Sequence, residues 1–309
     1  MVYNHLVKAI KKWNEQGFFI ENSFFNEKEL TDIMNILNTI TFNNKEDFGS
    51  DNGILEFPTS YSILNHLTLH PKIIKYCKTL LNTSDIRLIQ SDFWNKTNNG
   101  KTHMDSNSDQ RMHMDYPNNY LTHPNNWRNP DSIAIIIYFS DHLECGGETS
   151  VVPRLSDKDY LYKPPYTNNI GLGNYKWAND KYSVEKYFKE NYPDVYHFRK
   201  KLYEREIKVP YKKGSILFYR HDLWHRGTPI KNGKNRIVMN LGFKKAGCDY
   251  ITCWNKGFAR HLCDKTNYLE ELISKLNEEQ KKCLGFPPFN SSYWNTIQKK
   301  AFDFRYSKL

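Results

Sequence analysis

The sequence predicts a mainly β fold with flanking helices, a β-sandwich or jelly roll whose strands lie in the middle of the chain. Three observations predict it. Between about residues 85 and 245, short runs rich in β-branched and aromatic residues are each bounded by Gly, Pro, Asp or Asn. Both ends of the chain carry the helical period instead, with apolar residues at i, i+3 and i+4. The strand-like runs also follow one another through irregular connections rather than alternating with helices, which disfavours a parallel βαβ sheet.

Taken in order, the elements are these. In the helical region 1–84, Asn26 followed by Glu29 is a capping-box signature, and Leu30, Ile33, Met34 and Leu37 form the apolar face of the helix it starts. A second helix is expected over His70–Leu81. The core, 85–245, carries the strand-like runs Asp85–Trp94, Ser132–Phe139, Thr149–Pro153, Gly214–Arg220 and Arg236–Phe243. On the last run Ile237, Met239, Leu241 and Phe243 share one face and read as core. Arg236, Val238 and Asn240 share the other, which turns Arg236 toward a pocket. An insertion, 157–206, interrupts the core. Val195, Phe198 and Leu202 have helical spacing within it, and a connection of this length is expected to act as a lid. In the C-terminal extension, 246–309, Asn267 and Glu270 mark a helix start. Leu269, Leu272, Ile273 and Leu276 form its face, and Gly285 is its stop. A turn at Phe286–Phe289 precedes a short helix around Trp294 and Ile297. No Gly/Ser-rich or Pro-rich linker divides the chain, so residues 1–309 are expected to form one domain.

The 309 residues suffice for a sizeable core, and an aromatic content of 15% argues against disorder. The net charge of +10 suits anionic partners such as nucleic acid, CoA esters or phosphates, and equally a surface solvated by Lys and Arg. None of the six cysteines forms a CxxC pair, and Cys248, Cys253 and Cys263 fit no zinc template. They read as free thiols in a reducing compartment. No stretch approaches a membrane span and the N-terminus has no apolar leader, so an intracellular, soluble protein is expected.

His-Met-Asp occurs twice, at His103–Asp105 and His113–Asp115. His-x-Asp on an extended segment presents two metal ligands on one side, because residues i and i+2 point the same way. The first copy sits among Asn, Ser and Asp and reads as a solvated loop, whereas the second lies nearer the run Ser132–Phe139. A distant histidine, His225, precedes Arg236 by eleven residues; His221 is a rival third ligand without that offset. An arginine fork facing a pocket suits a carboxylate.

These segments resemble the phytanoyl-CoA dioxygenase family of Fe(II)/2-oxoglutarate-dependent oxygenases. The resemblance is carried by "GFFIENSFFNEKELTDI" (Gly17–Ile33), "DFWNKTNNG" (Asp92–Gly100), "HMD" (His113–Asp115), "CGGETSVVP" (Cys145–Pro153) and "GSILFYRHDLWHRGTPIKNGKNR" (Gly214–Arg236). It runs from about residue 17 to 243. It implies a double-stranded β-helix, a cupin-like jelly roll, with Fe(II) held by His113, Asp115 and His225. It also implies 2-oxoglutarate bound by Arg236, with Lys96 at its other end, Tyr138 beside it and a hydroxyl from Thr228. The reaction implied is hydroxylation by O2, with succinate and CO2 as co-products. Asp115 argues against halogenation, since halogenating relatives lack the carboxylate.

Several readings compete. Lys96 also reads as a solvated lysine and Tyr138 as core. The substrate is not legible: an anionic small molecule, a CoA ester and nucleic acid all suit the charge. The stretch Tyr182–Arg205 interleaves aromatics with bases, which suits a nucleic-acid strand or, more simply, an amphipathic helix with its bases outward. A catalytically silent jelly-roll protein that binds an anionic partner is the alternative to an enzyme.

Overall fold

Every position of Ser132–Tyr138 is buried, and this one strand organises the molecule. A strand covered on both faces reads as a continuous apolar run rather than an alternation. The computed structural model describes residues 2–40, 54–98, 108–119, 127–164, 166–172, 174–248, 268–292, 294–296 and 299.

The N-terminal part runs α1 (Val2–Gln16), β1 (Phe18–Glu21), α2 (Glu27–Leu37), β2 (Ile54–Glu56), α3 (Ser62–Thr68) and α4 (Pro71–Leu80). The middle runs β3 (Ile86–Thr97), α5 (Tyr116–Asn119), β4 (Ser132–Tyr138), α6 (His142–Cys145), β5 (Thr149–Val151), α7 (Lys181–Asn191) and α8 (Pro193–Arg205). Then come β6 (Ile207–Val209), β7 (Ile216–Tyr219), β8 (His225–Gly227), β9 (Asn235–Lys245), α9 (Tyr268–Lys275) and α10 (Glu278–Cys283). The capping box before α2 is present in both directions: the Glu29 N–H donates to Asn26 Oδ1 at 2.8 Å and the Asn26 N–H to Glu29 Oε2 at 2.9 Å. At α4, the His70 ring accepts from the Lys72 N–H and Pro71 supplies the pre-set first turn.

Among the described residues the strands form two antiparallel sheets, a large one in the order β1-β7-β4-β9-β3-β2 and a small one in the order β6-β5-β8. On one side of the large sheet Ile133, Ile135, Ile137, Phe218, Met239, Leu241 and Phe243 pack with residues of the flanking helices, among them Trp13, Leu37, Ile73 and Ile273. On its other side Ala134, Ile136, Tyr138, Leu217 and Val238 share a core with Val151 and Val209 of the small sheet. The expected alternation along Arg236–Phe243 is thus realised, and the fold is a jelly-roll core with flanking helices. No helix among the described residues is long and apolar enough to cross a membrane.

Three features depart from the sequence reading. From the sequence His225 closes a strand-like stretch, but it opens one: β7 ends at Tyr219, and β8 starts at His225. The reason is a buried knot in the turn between them. Arg220 donates to both Asp222 oxygens, at 2.7 and 2.8 Å, and its guanidinium lies 3.9 Å from the Trp127 ring centroid. The C-terminal helix is two helices, because Asn277 makes its own capping box with Gln280; Gly285, at φ 99°, follows the second. In the insertion, Leu202 is buried as expected, but so is Arg199, a base turned inward. Its Nε donates to Glu185 Oε1 at 2.9 Å, and its two terminal nitrogens to the carbonyls of Asn168 and Met112 at 3.0 Å each. The Tyr203 hydroxyl accepts from the Met112 N–H at 3.0 Å and donates to the same Glu185 oxygen at 2.8 Å. These contacts supply partners for a backbone that the small sheet leaves unpaired on this edge. The first His-Met-Asp copy, Cys253, Cys263, the Asn267 cap and Ile297 lie outside the described residues. Cys77, Cys145, Cys248 and Cys283 are free thiols.

Candidate metal centre

The segment from Gln110 to Asp115 runs beside β8 as an added row of the small sheet. The His113 N–H donates to the His225 carbonyl at 2.9 Å and the His225 N–H to the His113 carbonyl at 2.8 Å. Residues paired in this way stand side by side on one face, and the two rings lie 4.4 Å apart between centroids. Period two puts Arg111 and Asp115 on the same face as His113. Met112 and Met114 turn the other way, at 0% and 1% exposure within the apolar packing. The segment stops where the N–H groups of Asp115 and Tyr116 both donate to the His221 carbonyl, at 3.0 and 3.1 Å.

Three side chains converge there. Asp115 Oδ1 lies 3.4 Å from His113 Nε2, and Oδ2 lies 3.3 Å from His225 Nε2. One ligand atom from each residue lies within 4.8 Å of the others. The hydrogen bonds around the rings fix what these atoms are. His113 Nδ1 is 3.0 Å from the Arg111 carbonyl, and His225 Nδ1 is 3.0 Å from the Leu223 carbonyl. Each Nδ1 therefore carries a proton, which leaves Nε2, the ring atom that faces Asp115, as the one able to bind a metal. Burial, with the Arg111 charge and His225 adding to it, pushes His113 down to about 4. Burial lowers His225 too, but the Asp115 charge and hydrogen bond outweigh it and leave the ring raised. For Asp115 burial acts upward, yet the neighbouring imidazoles, His225 first and then His113, hold it well below the usual carboxylate range. Two imidazole nitrogens, each backed by a backbone carbonyl, and one carboxylate fit a divalent iron that keeps open positions.

The other expected site residues fall as follows. Lys96 on β3 pairs directly with Arg236 on β9, so both face the same way. Burial, then the Arg236 charge, push Lys96 down to about 7 against the pull of Asp115. Arg236 is 5% exposed. One terminal nitrogen donates to the Gly147 carbonyl, and its Nε has no hydrogen-bond partner. Gly147 is there for space: at φ 70° a Cβ would lie 2.7 Å from Ile230 Cγ1 and 3.3 Å from Arg236 Cδ. The Tyr138 hydroxyl lies 2.8 Å from Thr149 Oγ1 and its ring stacks on Tyr211 at 4.0 Å. The Thr228 hydroxyl donates to the Glu148 carbonyl at 2.8 Å. His221, the rival, is buried, and burial pushes it to about 4. Its side chain is not part of the His113, Asp115 and His225 cluster.

Sequence reasoning missed Tyr219, whose hydroxyl donates to Asp115 Oδ2 at 2.9 Å. It lies at the end of β7 with its ring 4.7 Å from that of His225. Tyr219→Phe is expected to lower metal affinity by about 10- to 100-fold, as loss of a ligand's outer partner does; competition with a metal indicator checks this.

No family model and no curated protein matches this chain. Among solved structures it is similar to the non-haem alpha ketoglutarate dependent carbocyclase SnoK from nogalamycin biosynthesis. That match has 14% identity and a TM-score of 0.54, and covers 82% of this chain and 89% of that one. It is also similar to the epimerase SnoN, described in complex with Fe3+, alpha ketoglutarate and nogalamycin RO. Here identity is 14% and the TM-score 0.53, with 81% of this chain and 87% of that one covered. At this identity the likeness is one of fold, the jelly-roll core.

Proposed function

We propose that the chain is an Fe(II)/2-oxoglutarate-dependent dioxygenase of the phytanoyl-CoA dioxygenase type, hydroxylating an anionic substrate with succinate and CO2 as co-products. The observation that carries this reading is the convergence of His113, Asp115 and His225 with both imidazole tautomers already set for ligation. Solved structures of similar fold include enzymes named as alpha ketoglutarate dependent.

In this reading His113, Asp115 and His225 hold the iron, Arg236 takes the distal carboxylate of 2-oxoglutarate, and Lys96 stands beside it. Bound iron with 2-oxoglutarate supplies the oxidation of a C–H bond by O2. The chain supplies position and charge. Arg236 keeps its Nε open, so its fork accepts a carboxylate without first breaking an ion pair among the described residues. Tyr138, Val238 and Ile136 make the wall behind it apolar and exclude water. Tyr219 holds Asp115 Oδ2 in place.

The test uses metal-free protein under anaerobic conditions, with Fe(II) added and then 2-oxoglutarate. A visible charge-transfer band, followed by succinate once O2 is admitted, is the expected result. No band from the folded wild-type protein overturns the reading. SnoK and SnoN are named as a carbocyclase and an epimerase, so product mass decides the outcome of turnover. A gain of one oxygen marks hydroxylation, a loss of two hydrogens ring closure, and no change epimerisation.

A further inference from the structure

Buried arginines in this protein follow a rule, and two break it. Arg111, Arg154, Arg199, Arg220, Arg226 and Arg236 are the buried arginines among the described residues. Arg154 is paired with Asp157, Arg199 with Glu185, Arg220 with Asp222, and Arg226 with both Glu206 and Asp109. Among the described residues Arg111 and Arg236 have no carboxylate in an ion pair with them; Arg111 lies two residues before His113, and Arg236 is paired across the large sheet with Lys96. A buried cation without a direct ion pair is costly, so these two residues imply anions that arrive from outside. The reading above gives Arg236 the cosubstrate. Arg111 is left over.

Its surroundings are those of a binding group. Arg111 is 4% exposed and shares the face of His113 and Asp115. Its charge acts on His113, Asp115 and His225 together. One terminal nitrogen donates to Asn179 Oδ1, which fixes the fork, while the buried Nε has no partner. The guanidinium carbon lies 4.2 Å from the ring centroid of Trp177, which is 44% exposed and belongs to the insertion. The indole thus covers one face of the cation and borders solvent, while Asn179 two residues on braces the edge. The charge balance agrees. One ligand carboxylate and a dianionic cosubstrate together oppose the metal, Arg236, Lys96 and Arg111, and the sum stays positive.

We propose that Arg111, covered by Trp177, binds an oxyanion of the substrate, a carboxylate or a phosphate, next to the iron. The substrate then lies between the small sheet and the insertion, and the cosubstrate lies on the large sheet by Arg236. The inference rests on the metal centre proposed above and adds the substrate's charged group and its anchor.

The test uses the anaerobic protein loaded with Fe(II) and 2-oxoglutarate. Inorganic phosphate and, separately, acetate are titrated in at constant ionic strength with chloride as the control, and both heat and tryptophan emission are recorded. The expected result is saturable binding of one anion over chloride, with an emission change absent in Trp177→Phe. Affinity should fall about tenfold or more in Arg111→Gln, as for loss of a charged hydrogen bond, and only in part in Arg111→Lys, while the charge-transfer band persists in both. Preference for phosphate over acetate, or the reverse, names the group. A wild-type band with no saturable anion binding overturns the anchor but leaves the enzyme reading standing. So does undiminished binding in Arg111→Gln, or in Arg111→Lys should the glutamine variant not fold. Absence of the band from wild type overturns the enzyme reading instead.

Discussion

His113→Ala is expected to abolish the Fe(II)–2-oxoglutarate absorption band, and His103→Ala to leave it intact. His113 contributes one of the two imidazole nitrogens at the centre, and its Nδ1 contact with the Arg111 carbonyl commits the other nitrogen to that role. Alanine removes the donor and keeps the backbone bridge to His225, so the protein still folds and a two-donor site remains. Losing even an outer partner costs about 10- to 100-fold in metal affinity, and losing a ligand costs at least the upper end of that range. The sequence around His103 is rich in Asn, Ser and Asp, with no apolar anchor except Met104. The comparison needs only the two variants, the wild type and a spectrometer, with circular dichroism to show that each is folded. A band that survives in His113→Ala and disappears in His103→Ala would reverse the assignment of the two motifs.

Arg199→Met is expected to cost about 3–5 kcal/mol of stability, the usual penalty for breaking one side of a buried ion pair. In melting temperature that is a drop on the order of 5–15 °C. Arg199 is fully buried and Glu185 nearly so, at side-chain exposures of 0% and 15%. Methionine fills the volume but leaves Glu185 charged with only Tyr203 beside it, and it strips the Met112 carbonyl of its partner. Arg199→Met with Glu185→Met should recover part of the loss, because a removed pair is cheaper than a broken one. The effect should reach the metal centre, since Met112 is the residue before His113. Thermal denaturation and iron titration of the single and double variants read both. A single variant as stable as the wild type would mean that α8 does not hold this segment.

The parts legible in the sequence were those with a local cause. The capping box at Asn26 and Glu29, the apolar run of β4 and the two-faced strand at Arg236 each announce themselves within a few residues. Five short motifs in order were enough to draw His113, Asp115, His225 and Arg236 into one hypothesis. The remainder depends on partners far away in the chain. Strands β6 and β8 have three residues each, too few to show a period, and they exist because β5 pairs with both. The turn at Arg220 depends on Trp127, and the inward face of Arg199 depends on the bare backbone at Met112. Tyr219 reads as one more β-strand aromatic until the fold sets it against Asp115. The second C-terminal helix was legible in principle, since Asn277 and Gln280 repeat the signature seen at Asn26 and Glu29.

The backbone bridge between His113 and His225 also sets an order of events during synthesis. As the chain leaves the ribosome, His113 and Asp115 emerge well before their partner strand exists. Until β8 follows, this stretch has neither its hydrogen bonds nor a third ligand, and Arg236 comes later still. Two donors on an unpaired segment hold a divalent metal more weakly than three, so the full donor set waits on the later strands. The centre is assembled only when the last strands of the core close over it.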